Sequence, residues 1–206
     1  MKREIGIVDY GIGNVKSIEN ALIKLNARSI LTSHEDQLLN CDKLILPGVG
    51  AFKRGMENLQ GRGLDQVITE FISTGKPLLG ICLGMQMLFT KSEEFGTTLG
   101  LNLIEGDVRK IPTKSRLPHI GWTNLSAKNG SWSNSILETT KKQSRVYFVH
   151  TYAGFPDNES DYLAVTKYEG IEICAAVRKG NIYGTQFHPE KSGTAGLSIL
   201  EKYISI

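Results

Sequence analysis

Pro77-Leu78-Leu79-Gly80-Ile81-Cys82-Leu83-Gly84-Met85-Gln86 is an apolar run that ends in Gly-x-Cys-x-Gly. The run reads as a buried strand, Leu78 to Ile81. A helix-compatible stretch, Met85 to Lys91, follows it. Strand, sharp turn and helix in that order form a nucleophile elbow, here with cysteine in place of serine. The glycines two before and two after Cys82 permit a strained turn and close helix–strand packing.

Outward from the elbow, the first half alternates strands with helices. Ile5 to Asp9 reads as a first buried strand, with Gly11 and Gly13 in the turn that follows. Asn14 is placed to cap a helix running to about Leu25, with Val15, Ile18, Leu22 and Leu25 on one face. Ser29 to Thr32 suggests a second strand, and Lys43 to Leu46 a third, stopped by Pro47-Gly48. Met56 to Thr74 carries one or two helices, broken near Gly61 and Gly63. This alternation predicts βαβ units around a mostly parallel open sheet flanked by helices. Sites in such sheets lie beyond the carboxyl ends of the strands, where both Pro47-Gly48 and Cys82 fall.

From Leu103 to Arg178 the short runs are β-rich, including Val146 to Val149, Tyr162 to Thr166 and Ile171 to Val177. Ile182 to Phe187 continues them, and antiparallel strands added to the sheet are expected. Lys128 to Gln143 is polar and reads as a surface loop around a short helix. Thr194 to Ile204 makes a closing helix with Leu197, Leu200 and Ile204 on its apolar side. No repeat, low-complexity tract or linker divides residues 1–206, so a single α/β domain is expected.

His188-Pro189-Glu190 lies 188 − 82 = 106 positions after Cys82. If Tyr183 to Glu190 is extended, His188 and Glu190 project to the same side. A thiol, an imidazole and a carboxylate that orients the imidazole form the logic of a catalytic triad. Cys82 would attack a carbonyl, His188 would carry the proton, and Glu190 would hold the ring. The backbone N–H of Leu83 is one natural donor to an oxyanion. Pro47-Gly48-Val49-Gly50 reads as a strand-ending turn in which the glycines on both sides of Val49 make a peptide flip inexpensive. Cys41 and Cys174 read as small core residues. His119 and His150 sit beside apolar segments and read as makers of structural hydrogen bonds.

Composition narrows the classes. The 206 residues are 40% hydrophobic and 22% charged, ordinary for a globular chain with a real core. A net charge of +3, without an aromatic-interleaved basic stripe, argues against nucleic-acid binding. Arg109, Lys110, Lys114 and Arg116 form the densest basic stretch, read as a solvated loop or an anion-attracting rim. Three unpaired cysteines and four scattered histidines give no metal-ligand spacing, so no metal or cofactor is expected. A reducing cytoplasm fits the cysteines. The basic start Met1-Lys2-Arg3 precedes an apolar run broken by Asp9, which is neither a signal peptide nor a membrane span. Gly11-Ile12-Gly13 lacks the third glycine of a dinucleotide fingerprint.

Gly-Ile-Cys-Leu-Gly-Met-Gln with a later Phe-His-Pro-Glu resembles the class I, triad-type glutamine amidotransferases. Over the whole chain the resemblance narrows to the glutaminase subunits of imidazole glycerol phosphate synthases. It rests on Asp9 to Asn14, Leu46 to Phe52, Pro118-His119-Ile120-Gly121-Trp122, Tyr147 to Tyr152 and Gln186 to Gly193. One departure is Thr123, where the family usually has Asn after Gly-Trp. It bears on partner details and leaves the glutaminase chemistry alone.

The resemblance implies the class I glutamine amidotransferase fold and hydrolysis of glutamine to glutamate and ammonia through Cys82, His188 and Glu190. It implies an oxyanion hole from Val49, Gly50 and Leu83. It further implies glutamine contacts from Gly50, Gln86, Glu94, Thr151 and Tyr152. The implied partner is a (β/α)8 cyclase that receives ammonia through its barrel and makes imidazole glycerol phosphate and AICAR. Asn14, Trp122, Tyr147 and Lys191 match family positions at that interface, although a core Trp122 is an equal reading of that residue alone. Two alternatives stay open. The same glutaminase could serve a paralogous synthase for surface-polysaccharide amidination, or the chain could be a catalytically silent scaffold that binds a partner.

Overall fold

A computed structural model describes residues 4–128, 130–141 and 143–206. The basic start therefore lies outside the described residues. The first half runs β1 (Glu4–Val8), α1 (Val15–Lys24), β2 (Arg28–Thr32), α2 (Glu35–Asn40), β3 (Lys43–Leu46), α3 (Phe52–Gln60), α4 (Leu64–Ser73), β4 (Leu78–Ile81) and α5 (Leu83–Met87). The second half runs β5 (Phe89–Ser92), β6 (Thr98–Leu99), β7 (Ile104–Lys110), β8 (His119–Asn124), β9 (Ser126–Ala127), β10 (Arg145–His150), β11 (Tyr152–Pro156), β12 (Tyr162–Tyr168), β13 (Ile171–Lys179), β14 (Ile182–Thr185) and α6 (Gly193–Ser205).

The main sheet has eight strands in the order β2-β1-β3-β4-β14-β13-β12-β9. Its first five strands are parallel, and the last three are added antiparallel. The expected α/β architecture is therefore what forms, with helices on both faces. Two apolar clusters flank the sheet. One holds Ile7, Ile45, Leu79, Leu200 and Tyr203, and the other Leu44, Leu46, Phe52, Phe71 and Met85. Side chains that alternate along each strand supply both clusters, and burial of these groups is the main term that holds the layers together.

Several elements depart from the sequence reading. The helix after Cys82 ends at Met87, and Phe89 begins a strand. β5, β6, β7 and β11 then form a separate four-stranded sheet, and β8 pairs with β10 as a two-stranded ribbon. Only part of the β-rich half extends the main sheet. β14 lies parallel to β4, because it returns to the sheet centre after the antiparallel hairpin with β13. Lys128 to Gln143 holds no helix among its described residues, and Trp132, Ile136 and Leu137 are buried in the core. Its polar surface residues hide three apolar anchors. Asn14 stands at the start of α1 without a side-chain capping bond. α2 spans less than two turns, too short to leave a periodic signal in the sequence. No helix among the described residues is long and apolar enough to cross a membrane.

Packing at the elbow is backbone against backbone. A Cβ on Gly84 would lie 1.9 Å from the Leu46 carbonyl oxygen, and one on Gly80 would lie 2.7 Å from the Gly84 carbonyl oxygen. Gly84→Ala should therefore cost about 3 kcal/mol or more of stability. Urea denaturation of the two proteins checks this, and an unchanged midpoint would show that α5 can move away freely.

Candidate active site

The carboxyl end of β4 delivers Cys82 with φ 55° and ψ −110°, a conformation that a non-glycine residue adopts only under strain. The N–H of Cys82 donates to the Thr185 carbonyl at 2.7 Å, and its carbonyl accepts from Gln86 N at 3.1 Å. The first bond extends the β4–β14 ladder, and the second closes the first turn of α5. Leu83 N–H, at the start of that helix, has no intrahelical acceptor and is free to bind an oxyanion.

Pro47 to Ala51 passes in front of the elbow. The Tyr10 hydroxyl donates to the Pro47 carbonyl at 2.7 Å, and Tyr10 is fully buried. Burial and the nearby Cys82 push the Tyr10 pKa up, so the hydroxyl remains a donor. Gly48 sits between Tyr10 and α5, with no room for a side chain. Gly50 takes φ 95° and is exposed. Its constraint is conformational, since the space that a side chain would occupy is open.

The His-Pro-Glu run reaches the site differently from the expected extended strand. β14 stops at Thr185, and Pro189 to Lys191 form a 3-10 turn. That turn brings His188 Nδ1 to 2.8 Å from Glu190 Oε1, with both side chains almost wholly buried. Their meeting therefore comes from a tight turn, since strand alternation ends before it. His188 N donates to the Tyr147 carbonyl at 3.0 Å, and the Ser192 hydroxyl donates to the His188 carbonyl at 2.6 Å. Gly196 allows α6 to approach, because a Cβ there would lie 1.9 Å from the Pro189 carbonyl oxygen. Burial alone would lower the His188 pKa. The nearness of Cys82 and the hydrogen bond to Glu190, with their charge, outweigh it and raise the value to about 9.

A cavity of about 290 Å³ joins these parts, lined among others by Val49, Gly50, Cys82, Leu83, Glu94 and His188. Gln86, Thr151 and Tyr152 line it too. Larger depressions exist, including one of about 570 Å³ beside Trp132, but Cys82 is not among their lining residues. Glu94 is engaged inside the protein, since its Oε2 accepts from Phe52 N at 2.6 Å. It thereby ties the start of α3 to the loop that follows β5.

His119 and His150 make the hydrogen bonds expected of them, and they make them to each other at 3.1 Å. His150 Nδ1 lies 2.8 Å from the Tyr152 carbonyl, which can only accept, so that nitrogen carries the proton. Burial lowers the His150 pKa to about 3, against the opposing effect of the Tyr152 carbonyl, and burial lowers that of His119. The Thr123 hydroxyl reaches His119 Nε2 at 3.4 Å, so this departure from the family pattern is partnered within the chain. Trp122 is 43% exposed and lies 6.0 Å from the Tyr147 ring, which removes the core reading of that tryptophan. Asn14 and Lys191 are exposed as well. Exposed Ile120 and Val149 face each other across β8 and β10, extending an apolar face beside the cavity mouth. Gln186, not singled out from the sequence, is fully buried with its amide nitrogen 3.8 Å from Cys82 Sγ. Its place directly before Phe187-His188 was the available signal.

The family model described as glutamine amidotransferase class-I matches residues 6–205. Imidazole glycerol phosphate synthase subunit HisH 1 of Legionella pneumophila (strain Paris) is 42% identical over 98% of this chain and 99% of that protein. The HisH subunit of Oceanobacillus iheyensis is 45% identical over 97% of each. Among solved structures, PurLQS from Thermotoga maritima superposes with a TM-score of 0.76 at 18% identity, covering 100% of this chain and 99% of that one. That likeness concerns the fold alone. A chain with this elbow, this fold and relatives this similar along their whole length belongs to the class I glutamine amidotransferases, and within them to the HisH subunits of imidazole glycerol phosphate synthase.

Proposed function

We propose that this chain hydrolyses glutamine to glutamate and ammonia through Cys82, His188 and Glu190, and passes the ammonia to a cyclase subunit. The cyclase would use it to make imidazole glycerol phosphate and AICAR in histidine biosynthesis. The carrying observation is the convergence of Cys82, at a strained elbow, with the buried His188–Glu190 pair on one cavity. The relatives, subunits of imidazole glycerol phosphate synthase, support the pathway and imply a partner subunit.

His188 takes the thiol proton, and the sulfur attacks the side-chain carboxamide carbon of glutamine. Leu83 N–H and the Val49-Gly50 peptide donate to the oxyanion that forms. His188 then gives its proton to the departing nitrogen, leaving a glutamyl thioester and ammonia. Water, deprotonated by His188, hydrolyses the thioester to glutamate and restores the thiol. Glu190 holds the ring through Nδ1 and stabilises its charged form. Gly50, Gln86, Glu94, Thr151 and Tyr152 would hold the glutamine. Glu94 offers a carboxylate to the substrate's ammonium group.

Ammonia released into neutral water becomes ammonium and is lost as a nucleophile, so a sealed route to the second site is an advantage. The exposed face with Asn14, Trp122, Tyr147 and Lys191 is proposed as the seat of a (β/α)8 cyclase. The main chain of Tyr147 already bonds His188 and Ser192, giving that face a direct mechanical link to the triad. Three free, buried thiols support a reducing, cytoplasmic setting.

Glutamate release by the chain alone is expected to be low, and to rise at least about tenfold with the cyclase and its ribonucleotide substrate. Cys82→Ala should abolish it in every combination. Full activity in the isolated chain would count against coupling, and none in any folded complex would sink the glutaminase reading. His188→Ala should lose about 10³-fold or more in kcat, and His150→Ala far less. Equal losses would reverse the assignment of the base. His188 should carry its proton at neutral pH and lose it as pH rises through about 9. Activity should therefore fall over that alkaline window. The stability from its pairing is full below about 6.5 and lost by the same point, a change that thermal melts against pH can follow.

A further inference from the structure

Hydrogen-bond direction fixes the orientation of two buried amides beside the nucleophile. The Tyr152 carbonyl can only accept, and Gln86 Nε2 reaches it at 2.9 Å. The same nitrogen reaches Gln186 Oε1, also at 2.9 Å. Turning the Gln86 amide over would point its oxygen at two acceptors, so its nitrogen must face both. With Oε1 held by Gln86, the Gln186 nitrogen is committed to the opposite side. That side is Cys82 Sγ, 3.8 Å away.

Backbone register delivers Gln186 to this place. Thr185 pairs with Ile81 in the parallel β4–β14 ladder, which leaves Gln186 beside Cys82 as the chains leave the sheet. Gln186 N donates to the Ala175 carbonyl at 2.9 Å, so the residue is held at both its main chain and its side chain.

We infer that Gln186 is a catalytic residue that donates an amide N–H to the Cys82 sulfur and stabilises the thiolate. This rests on Cys82 being the nucleophile. When the thiol proton moves from Sγ to His188 Nε2, the Gln186 proton stays on its nitrogen and its bond strengthens, because the acceptor has become an anion. A neutral amide suits the place. It cannot titrate, cannot compete with His188 for the proton, and costs less to bury than a cation.

Alkylation of the full chain by iodoacetamide, with neither glutamine nor partner present, reads the thiolate directly. Mass spectrometry localises the product, and Cys41 and Cys174 are poor competitors because burial pushes both thiols up, Cys41 to about 11. Gln186→Met, which removes the donor at similar volume, should slow Cys82 alkylation at pH 7 about tenfold and move the rate–pH profile alkaline. Gln186→Glu should slow it further, because a carboxylate oxygen then faces the sulfur. Wild-type rates in both folded variants would overturn the inference. The side-chain NH2 resonances of Gln186 in 15N-labelled wild-type protein decide the matter without relying on any variant's folding. They should move over the same pH range as the alkylation rate and lose that movement in Cys82→Ser. NH2 signals insensitive to both would overturn the inference. Alkylation effects in a chain that hydrolyses no glutamine would spare Gln186 and remove the glutaminase reading. Full glutaminase activity with unaltered alkylation would do the reverse.

Discussion

Direct backbone contact between α5 and the ends of β3 and β4 is the constraint on which the site depends. Gly84 rests on the Leu46 carbonyl, Gly80 lies under the first turn of α5, and Gly48 is enclosed by the same turn and Tyr10. At that separation the chain has only one sharp way from β4 into α5, and it passes through Cys82 at φ 55°. Such a residue costs about 1–3 kcal/mol and persists because the surrounding packing leaves no alternative. The same contact leaves Val49, Gly50 and Leu83 lining one cavity with Cys82. The strained elbow and the segment that faces it across the cavity are thus consequences of one packing event.

The other half of the site is built on a different support. His188 and Glu190 sit on a turn fastened to β10 through Tyr147 and to α6 through Ser192 and Gly196. Two buried histidines near the cavity then receive opposite environments. His188 has a carboxylate on one side and a thiol on the other, and its pKa rises to about 9. His150 has a carbonyl and a second imidazole, and burial takes it down to about 3. Environments that push like groups apart mark which one handles protons. His150 and His119 are instead fixed tautomers that brace the β10–β11 corner beside the cavity.

The parallel half of the fold and the elbow are legible in the sequence because each rests on local pattern. Lys43 to Leu46 and Leu78 to Ile81 are short apolar runs closed by breakers, and both form strands over those same residues. The break between α3 and α4 falls at Gly61 to Gly63, where the glycines place it. Leu88 to Lys91 reads as helix because its apolar residues continue the helical period from Met85. Pairing with β7 and β6 overrides that local preference. The parallel placement of β14 depends on a partner about a hundred residues away, and no local pattern encodes it. The identity of Cys82, His188 and Glu190 is likewise readable, but their geometry is not. A 3-10 turn, invisible to a period-two reading, sets the His188–Glu190 contact.

By itself the sequence determined the chemical inventory: one cysteine framed by glycines, one His-Pro-Glu run, and the segments that mark the family. Those are statements about which residue types occupy short, strongly patterned stretches, and such stretches carry their own meaning. Only the tertiary structure decided which groups share a cavity, which histidine gains proton affinity, that Trp122 faces outward, and that Gln186 points its nitrogen at the sulfur. The physical reason is that burial, charge and hydrogen-bond direction are properties of neighbours in space. Here those neighbours come from β4, β10, β11, β14 and the turn before α6, which meet only when the sheet is assembled.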